Sequence, residues 1–187
     1  LFEHLRSRLG FEVELLHDVH ERSAPIQGVW LAKEMEQYRL FFLEDLFAPE
    51  DIDYFRIVRQ QTSTPIAMGE LFVNQAEYVP LIKERLIDFI RVHISDIGGL
   101  TVARKLAAFC EFMGVRTAWH GPGDVSPVGH AVNMHLDLAV PNFGIQELAL
   151  FKPETRAVFP GCPEVHDGCM WPNDGPGHGV DIDEELA

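Results

Sequence analysis

Six short apolar runs of this chain end at positions 18, 44, 70, 96, 120 and 147, in steps of 26, 26, 26, 24 and 27 residues. A step of that size holds one strand, one helix and two short loops. Repeated along the chain, it implies parallel strands joined by right-handed helical crossovers. Two architectures satisfy the pattern. An open doubly wound sheet calls for a glycine-rich phosphate turn after an early strand, and no Gly-x-Gly-x-x-Gly occurs in the sequence. A (β/α)8 barrel instead places functional residues at the C-terminal ends of its strands. The runs end in Asp18, Glu44, Glu70, Asp96, His120 and Glu147, an acid or a histidine every time. A complete barrel typically needs about 250 residues, and this chain has 187. The expected fold class is therefore α/β: a (β/α)8 TIM-type barrel, represented by its last six βα units over residues 1–150. An irregular C-terminal segment, 151–187, is expected to pack over the barrel.

The helices share no signature, so the repeat is structural rather than a copied motif. A helix is predicted over 2–9, stopped by Gly10. A strand follows over 12–17, and Ser23 is expected to cap a helix to Tyr38 with Pro25 in its first turn. Strand 40–44 is apolar throughout, as when both faces are covered. Pro49-Glu50-Asp51 opens a helix to Gln61, and strand 65–69 precedes a helix over 75–84. Strand 88–94, a helix over 100–113 ended by Gly114, strand 115–119, a helix over 126–138 and strand 143–147 complete the series. After residue 150, Pro153, Pro160, Pro163, Pro172 and Pro176 break the rhythm. Val158, Phe159, Met170 and Trp171 predict that this tail is ordered and packed.

The net charge of −14 argues against a nucleic-acid partner, because phosphate binding needs clustered Lys and Arg. No run approaches 18 consecutive apolar residues, so no membrane span is expected. Three cysteines, Cys110, Cys162 and Cys169, suit a reducing, cytoplasmic setting better than a disulfide framework. Cys110 lies in an apolar helical stretch and reads as core. Cys162 and Cys169 flank His166, but not at the spacing of a zinc pair. The chain opens Leu1-Phe2-Glu3, with neither a starting Met nor a signal pattern, as expected of a piece whose beginning is missing.

Three acids, Asp18, Glu44 and Glu70, stand at consecutive, equally spaced strand ends. Singly, each reads as a solvated acid. In register on neighbouring parallel strands they converge as oxygen ligands for a hard divalent cation, and Mg²⁺ prefers such ligands. Asp45 alternates away from Glu44 and is expected to be structural. His20 follows Asp18 by two residues and shares its side, while His17 and Val19 point away. It is a candidate general acid; the alternative is an inert loop histidine. In Trp119-His120-Gly121-Pro122-Gly123-Asp124, His120 sits at a sharp strand exit, and Asp124 is placed to orient it or to bind a hydroxyl. Arg91 and His93 share one strand face, and Glu147 faces the same mouth. No Gly-x-Ser-x-Gly elbow is present. A glycosidase-type barrel also uses paired strand-end carboxylates, but three acids with histidines suit a metal better.

These motifs together resemble the C-terminal barrel of the enolase superfamily, and within it the mannonate dehydratase group, which includes starvation-sensing proteins. They are Leu15-Leu16-His17-Asp18-Val19-His20, Phe42-Leu43-Glu44-Asp45, Pro65-Ile66-Ala67-Met68-Gly69-Glu70, His120-Gly121 with Asp124, Pro141-Asn142-Phe143-Gly144-Ile145-Gln146-Glu147, and the tail from Pro172 to Glu184. The resemblance implies a Mg²⁺ site at Asp18, Glu44 and Glu70. It implies His20 as the acid for the leaving hydroxyl, with His120 and Glu147 contacting the substrate. Arg91 and Asp124 join the candidate substrate contacts from their own places on the strand face and the loop, and His120 is also a candidate catalytic residue. The base would be a Tyr assisted by an Arg on an earlier strand, absent here. The implied activity is dehydration of a sugar acid to a 2-keto-3-deoxy acid, with a weakly active regulatory relative as the alternative. A homo-oligomer is expected. Pro122 and Asp96 depart from the group's pattern and bear on which sugar acid is used.

Overall fold

Each 26-residue step becomes one strand and one helix, and the strands line up in chain order. The computed structural model describes residues 1–187. After α1 (Phe2–Leu9), it runs β1 (Leu16–Asp18), α2 (Pro25–Met35), β2 (Phe42–Glu44), α3 (Ile52–Arg59), β3 (Ile66–Met68), α4 (Gln75–Lys83), β4 (Phe89–Ile90), α5 (Leu100–Met113), β5 (Arg116–Thr117) and α6 (Pro127–Ala139). The five strands form one parallel sheet in the order β1-β2-β3-β4-β5, without the reversal that an open doubly wound sheet requires. This is α/β architecture and a portion of a (β/α)8 barrel.

Alternation along the strands separates two apolar layers. Leu43, Ile66, Met68, Ile90, Val92 and Trp119 point outward and join a 28-residue core with the helices. Phe42, Ala67, Phe89 and Ala118 point inward, with Phe41 and Ile145 packed against them. Phe42 and Phe89 ring centroids lie 5.1 Å apart, and Phe41 and Phe89 5.0 Å. Burying each such ring is worth roughly 1.5–3 kcal/mol. Two residues beyond Phe42 is Glu44, and two beyond Phe89 is Arg91. The same alternation that builds an apolar floor therefore delivers charged groups to the interior just above it.

Several boundaries differ from expectation. The first strand is Leu16–Asp18, and residues 12–15 form a bend and coil instead. Ala24, not Ser23, is the cap of α2; its N–H donates to Gln27 Oε1 at 3.3 Å, and Ser23 Oγ finds no partner. The helix ends at Met35 and tightens into a 3-10 turn over Glu36–Tyr38. The sixth strand, expected over 143–147, shrinks to one parallel bridge between Thr117 and Phe143. Past Gly144 the backbone leaves the ladder, because the Gln146 side-chain amide takes the Trp119 carbonyl at 3.1 Å.

The tail forms α7 (Pro153–Val158) and an antiparallel hairpin, β6 (Glu164–His166) with β7 (Cys169–Trp171). Asn173 Nδ2 ties Gly161 O and Gly179 O, each at 2.9 Å, and folds the last segment back on itself. Val165 and Met170 face Met134, Phe143 and Ile145 across an apolar cavity of about 420 Å³. No helix is long and apolar enough to cross a membrane.

Candidate active site

The parallel register sets Asp18 beside Glu44, and Glu44 beside Ala67. Glu70 follows two residues after β3, past Gly69. There the backbone turns at φ 146°, and a Cβ would stand 2.9 Å from Val92 N and 3.1 Å from Arg91 N. Only glycine lets β3 close onto β4 at that level. Asp18, His20, Glu70, Arg91, His120 and Glu147 then line one cavity of about 420 Å³, with Pro122, Gly123 and Asp124 at its mouth and no hydrophobic side chain. Glu44 is buried beneath it.

Two ligand sets share Glu70. Atoms of Asp18, His20 and Glu70 lie within 4.8 Å of one another, as do atoms of Glu44, Glu70 and His120. Asp18 and Glu44 thus belong to different sets, bridged by Glu70. Each set pairs two carboxylates with one histidine, and Glu70 supplies an oxygen to both; oxygen donors of this kind are what a hard divalent cation prefers. One Glu44 oxygen is committed already: Arg91 Nε donates to Oε1 at 2.5 Å. Burial raises the Glu44 carboxyl above its ordinary range, and Arg91 works against that rise. A cation would stabilise its charged form further.

His20 adopts φ 52°, a left-handed conformation uncommon outside glycine, and its N–H donates to Asp18 Oδ1 at 3.0 Å. The turn aims the ring at the carboxylates. Nε2 lies 2.8 Å from Asp18 Oδ2 and 3.6 Å from Glu70 Oε1. His17 points the other way and packs edge-on against Phe2 at 5.2 Å. His120 Nδ1 lies 3.2 Å from Glu147 Oε2 and 3.5 Å from Glu70 Oε2. Glu147 Oε2 also accepts from Arg91 Nη2 and from the Gly121 N–H, each at 2.8 Å. Burial acts to raise the Glu147 carboxyl, but His120, the Gly121 N–H and Arg91 outweigh it and hold the group at about 2.

Asp124 is exposed at the rim and Asp96 lies outside the cavity, its Oδ1 3.5 Å from His93 Nδ1. His93 stands behind His120 with ring centroids 5.9 Å apart. Asp45 is buried to 1% exposure at φ 47°, and neither of its oxygens finds a partner. Burial, then Glu44, Glu70, Asp18 and Glu21, push its carboxyl up to about 9. Alternation anticipated that Asp45 leaves the mouth, but nothing local signals so deep a burial. The sequence does not signal the Gly121 N–H or the Gln146 amide either. Backbone donors carry no sequence signature, and the glycine pair around Pro122 was the only hint.

The enolase C-terminal domain-like profile matches residues 1–186. The chain belongs to that family. A D-galactonate dehydratase family member from Salmonella enteritidis is 62% identical over 187 residues, all of this chain and 45% of that protein. The family member RspA from Pantoea ananatis is 60% identical, again over all of this chain and 45% of its own length. The chain thus spans about half the length of the curated relatives it matches. A crystal structure of an enolase from Pantoea ananatis with bound D-gluconate and Mg superposes with a TM-score of 0.98 at 60% identity, covering 99% of this chain and 45% of that one. A mandelate racemase/muconate lactonizing enzyme from Jannaschia sp. CCS1, at 26% identity, gives 0.88 over 99% of this chain and 47% of its own.

Proposed function

We propose that this chain is the metal- and acid-bearing part of a Mg²⁺-dependent dehydratase of a sugar acid, of D-gluconate or D-mannonate type. The observation that carries the reading is the cavity itself: Asp18, Glu70, His20, His120 and Glu147 converge with Glu44 beneath them. The likeness to the Pantoea ananatis structure holding D-gluconate and Mg supports it. Asp18, Glu44 and Glu70 would hold the cation. When bound, Mg²⁺ would stabilise negative charge developing on the substrate carboxylate as its α-proton leaves.

The chain's own residues serve the loss of the hydroxyl and the binding of the substrate. The Nε2–H of His20, now aimed at Asp18, is the proton source for the departing β-hydroxyl. Water leaves, and the enol becomes a 2-keto-3-deoxy acid. Glu147, held ionised, accepts hydrogen bonds from substrate hydroxyls and fixes His120 beside them. By resemblance, the α-proton acceptor belongs to an earlier strand. Pro122 at the rim stiffens the loop that selects among sugar acids.

The full-length protein should convert one of a panel of sugar acids to a 2-keto-3-deoxy acid, and EDTA should stop it. Turnover unaffected by EDTA, or hydrolysis of glycosides in its place, would overturn the reading. His20→Asn should lower dehydration about a hundredfold, while Mg²⁺ affinity and α-proton exchange with solvent persist. Dehydration at the wild-type rate would make His20 a bystander.

A further inference from the structure

Arg91 is 5% exposed and spends its guanidinium inside the barrel. Nε donates to Glu44 Oε1 at 2.5 Å and Nη2 to Glu147 Oε2 at 2.8 Å, while Nη1 reaches Ala118 O at 3.1 Å and Trp119 O at 3.4 Å. The two carboxylates come from distant units, 47 and 56 residues away in sequence. Glu44 belongs to a metal-compatible set and Glu147 to neither set. One planar fork therefore balances a carboxylate of a metal-compatible set and a second carboxylate, outside both sets, that holds His120 at 3.2 Å. Lysine, with a single point charge, cannot reproduce that geometry.

We infer that Arg91 is a positioning residue that divides its charge between Glu44 and Glu147, and so couples the cation end of the site to its substrate end. The inference rests on the functional reading above, which makes Glu44 a cation ligand. The sign follows from competition. Arg91 and a divalent ion both draw on Glu44. When Glu147 takes part of the guanidinium, less of it opposes the ion. If Glu147 loses its charge, Arg91 turns wholly to Glu44, and cation binding weakens although no ligand has changed.

Mg²⁺ alone is titrated into the full-length protein by calorimetry. Glu147→Gln should weaken its affinity about tenfold. Asp124→Asn removes one charge from the same cavity without touching Arg91, and measures the through-space contribution, expected to be about twofold at most in ordinary salt. In an Arg91→Met background, the gap between the Glu147→Gln and Asp124→Asn effects should close. If Arg91→Met does not fold, the single-variant comparison decides. Equal effects of Glu147→Gln and Asp124→Asn, or a gap that persists without Arg91, would overturn the coupling while leaving the proposed function standing. A wild-type protein that binds no Mg²⁺ would overturn both.

Discussion

Replacing Gly121 with alanine perturbs the site through one methyl group. Its backbone does not demand glycine, since Gly121 is not among the residues with positive φ. Space does. A Cβ there would overlap the Glu147 carbonyl oxygen and stand 3.0 Å from both Gln146 Nε2 and His130 Cε1. None of these walls yields easily. Gln146 Nε2 is bonded to Trp119 O at 3.1 Å and Glu147 O at 2.6 Å, and His130 is fully buried. Overpacking of this kind costs about 1–3 kcal/mol. Straining the charge-assisted bond from Gly121 N–H to Glu147 adds about 1 kcal/mol. The expected loss is about 2–4 kcal/mol by chemical denaturation of the full-length protein. A loop displaced by about 1 Å also carries His120 with it, and turnover should fall about a hundredfold. Gly123, two residues on, has nothing within 4 Å of its would-be Cβ. Gly123→Ala should stay within about 0.5 kcal/mol of wild type. Equal stability and turnover in the two variants would show that the His120 loop does not lie against residues 146–147.

Two further outcomes follow from burial and charge. Glu147 is held at about 2 against an ordinary value of 4.5, so its stabilisation is complete above about 4.5 and is lost as pH falls towards about 2. With its side chain 35% exposed, that contribution is about 1–2 kcal/mol after screening. Denaturation at stepped pH should therefore show a shallower acid limb for Glu147→Gln than for wild type; parallel curves would contradict the assignment. Burial pushes the Cys110 thiol up to about 12, whereas Cys169 is exposed. Alkylation of native protein at pH 8, read by peptide mass, should mark Cys169 first and Cys110 only on unfolding; fast labelling of Cys110 would mean that α5 does not pack as described.

The sequence alone determined whatever is local or periodic. Strand-end spacing and apolar patterning carried the βα rhythm, because each unit folds over about two dozen residues and each strand must bury both faces. The same rhythm marked Asp18, Glu44, Glu70, His120 and Glu147, and also Asp96, which lies outside the cavity. Spacing along the chain is a one-dimensional property, and which of the marked positions converge is not. Alternation separated His17 and Val19 from Asp18 and His20, and the structure packs His17 on Phe2 and buries Val19. Tertiary structure alone decided how these ends meet. That Glu70 belongs to both ligand sets depends on how far β3 closes onto β4 at Gly69. That Arg91 reaches Glu44 and Glu147 together depends on interior packing from units 47 and 56 residues away. The sixth strand shows the same limit. Residues 143–147 have strand-like composition, yet a ladder needs neighbouring backbone donors and acceptors in register. Here the Gln146 side chain takes the carbonyl a ladder would have used. Competition between a side chain and a backbone for one acceptor is settled by three-dimensional distance, and no one-dimensional pattern records it.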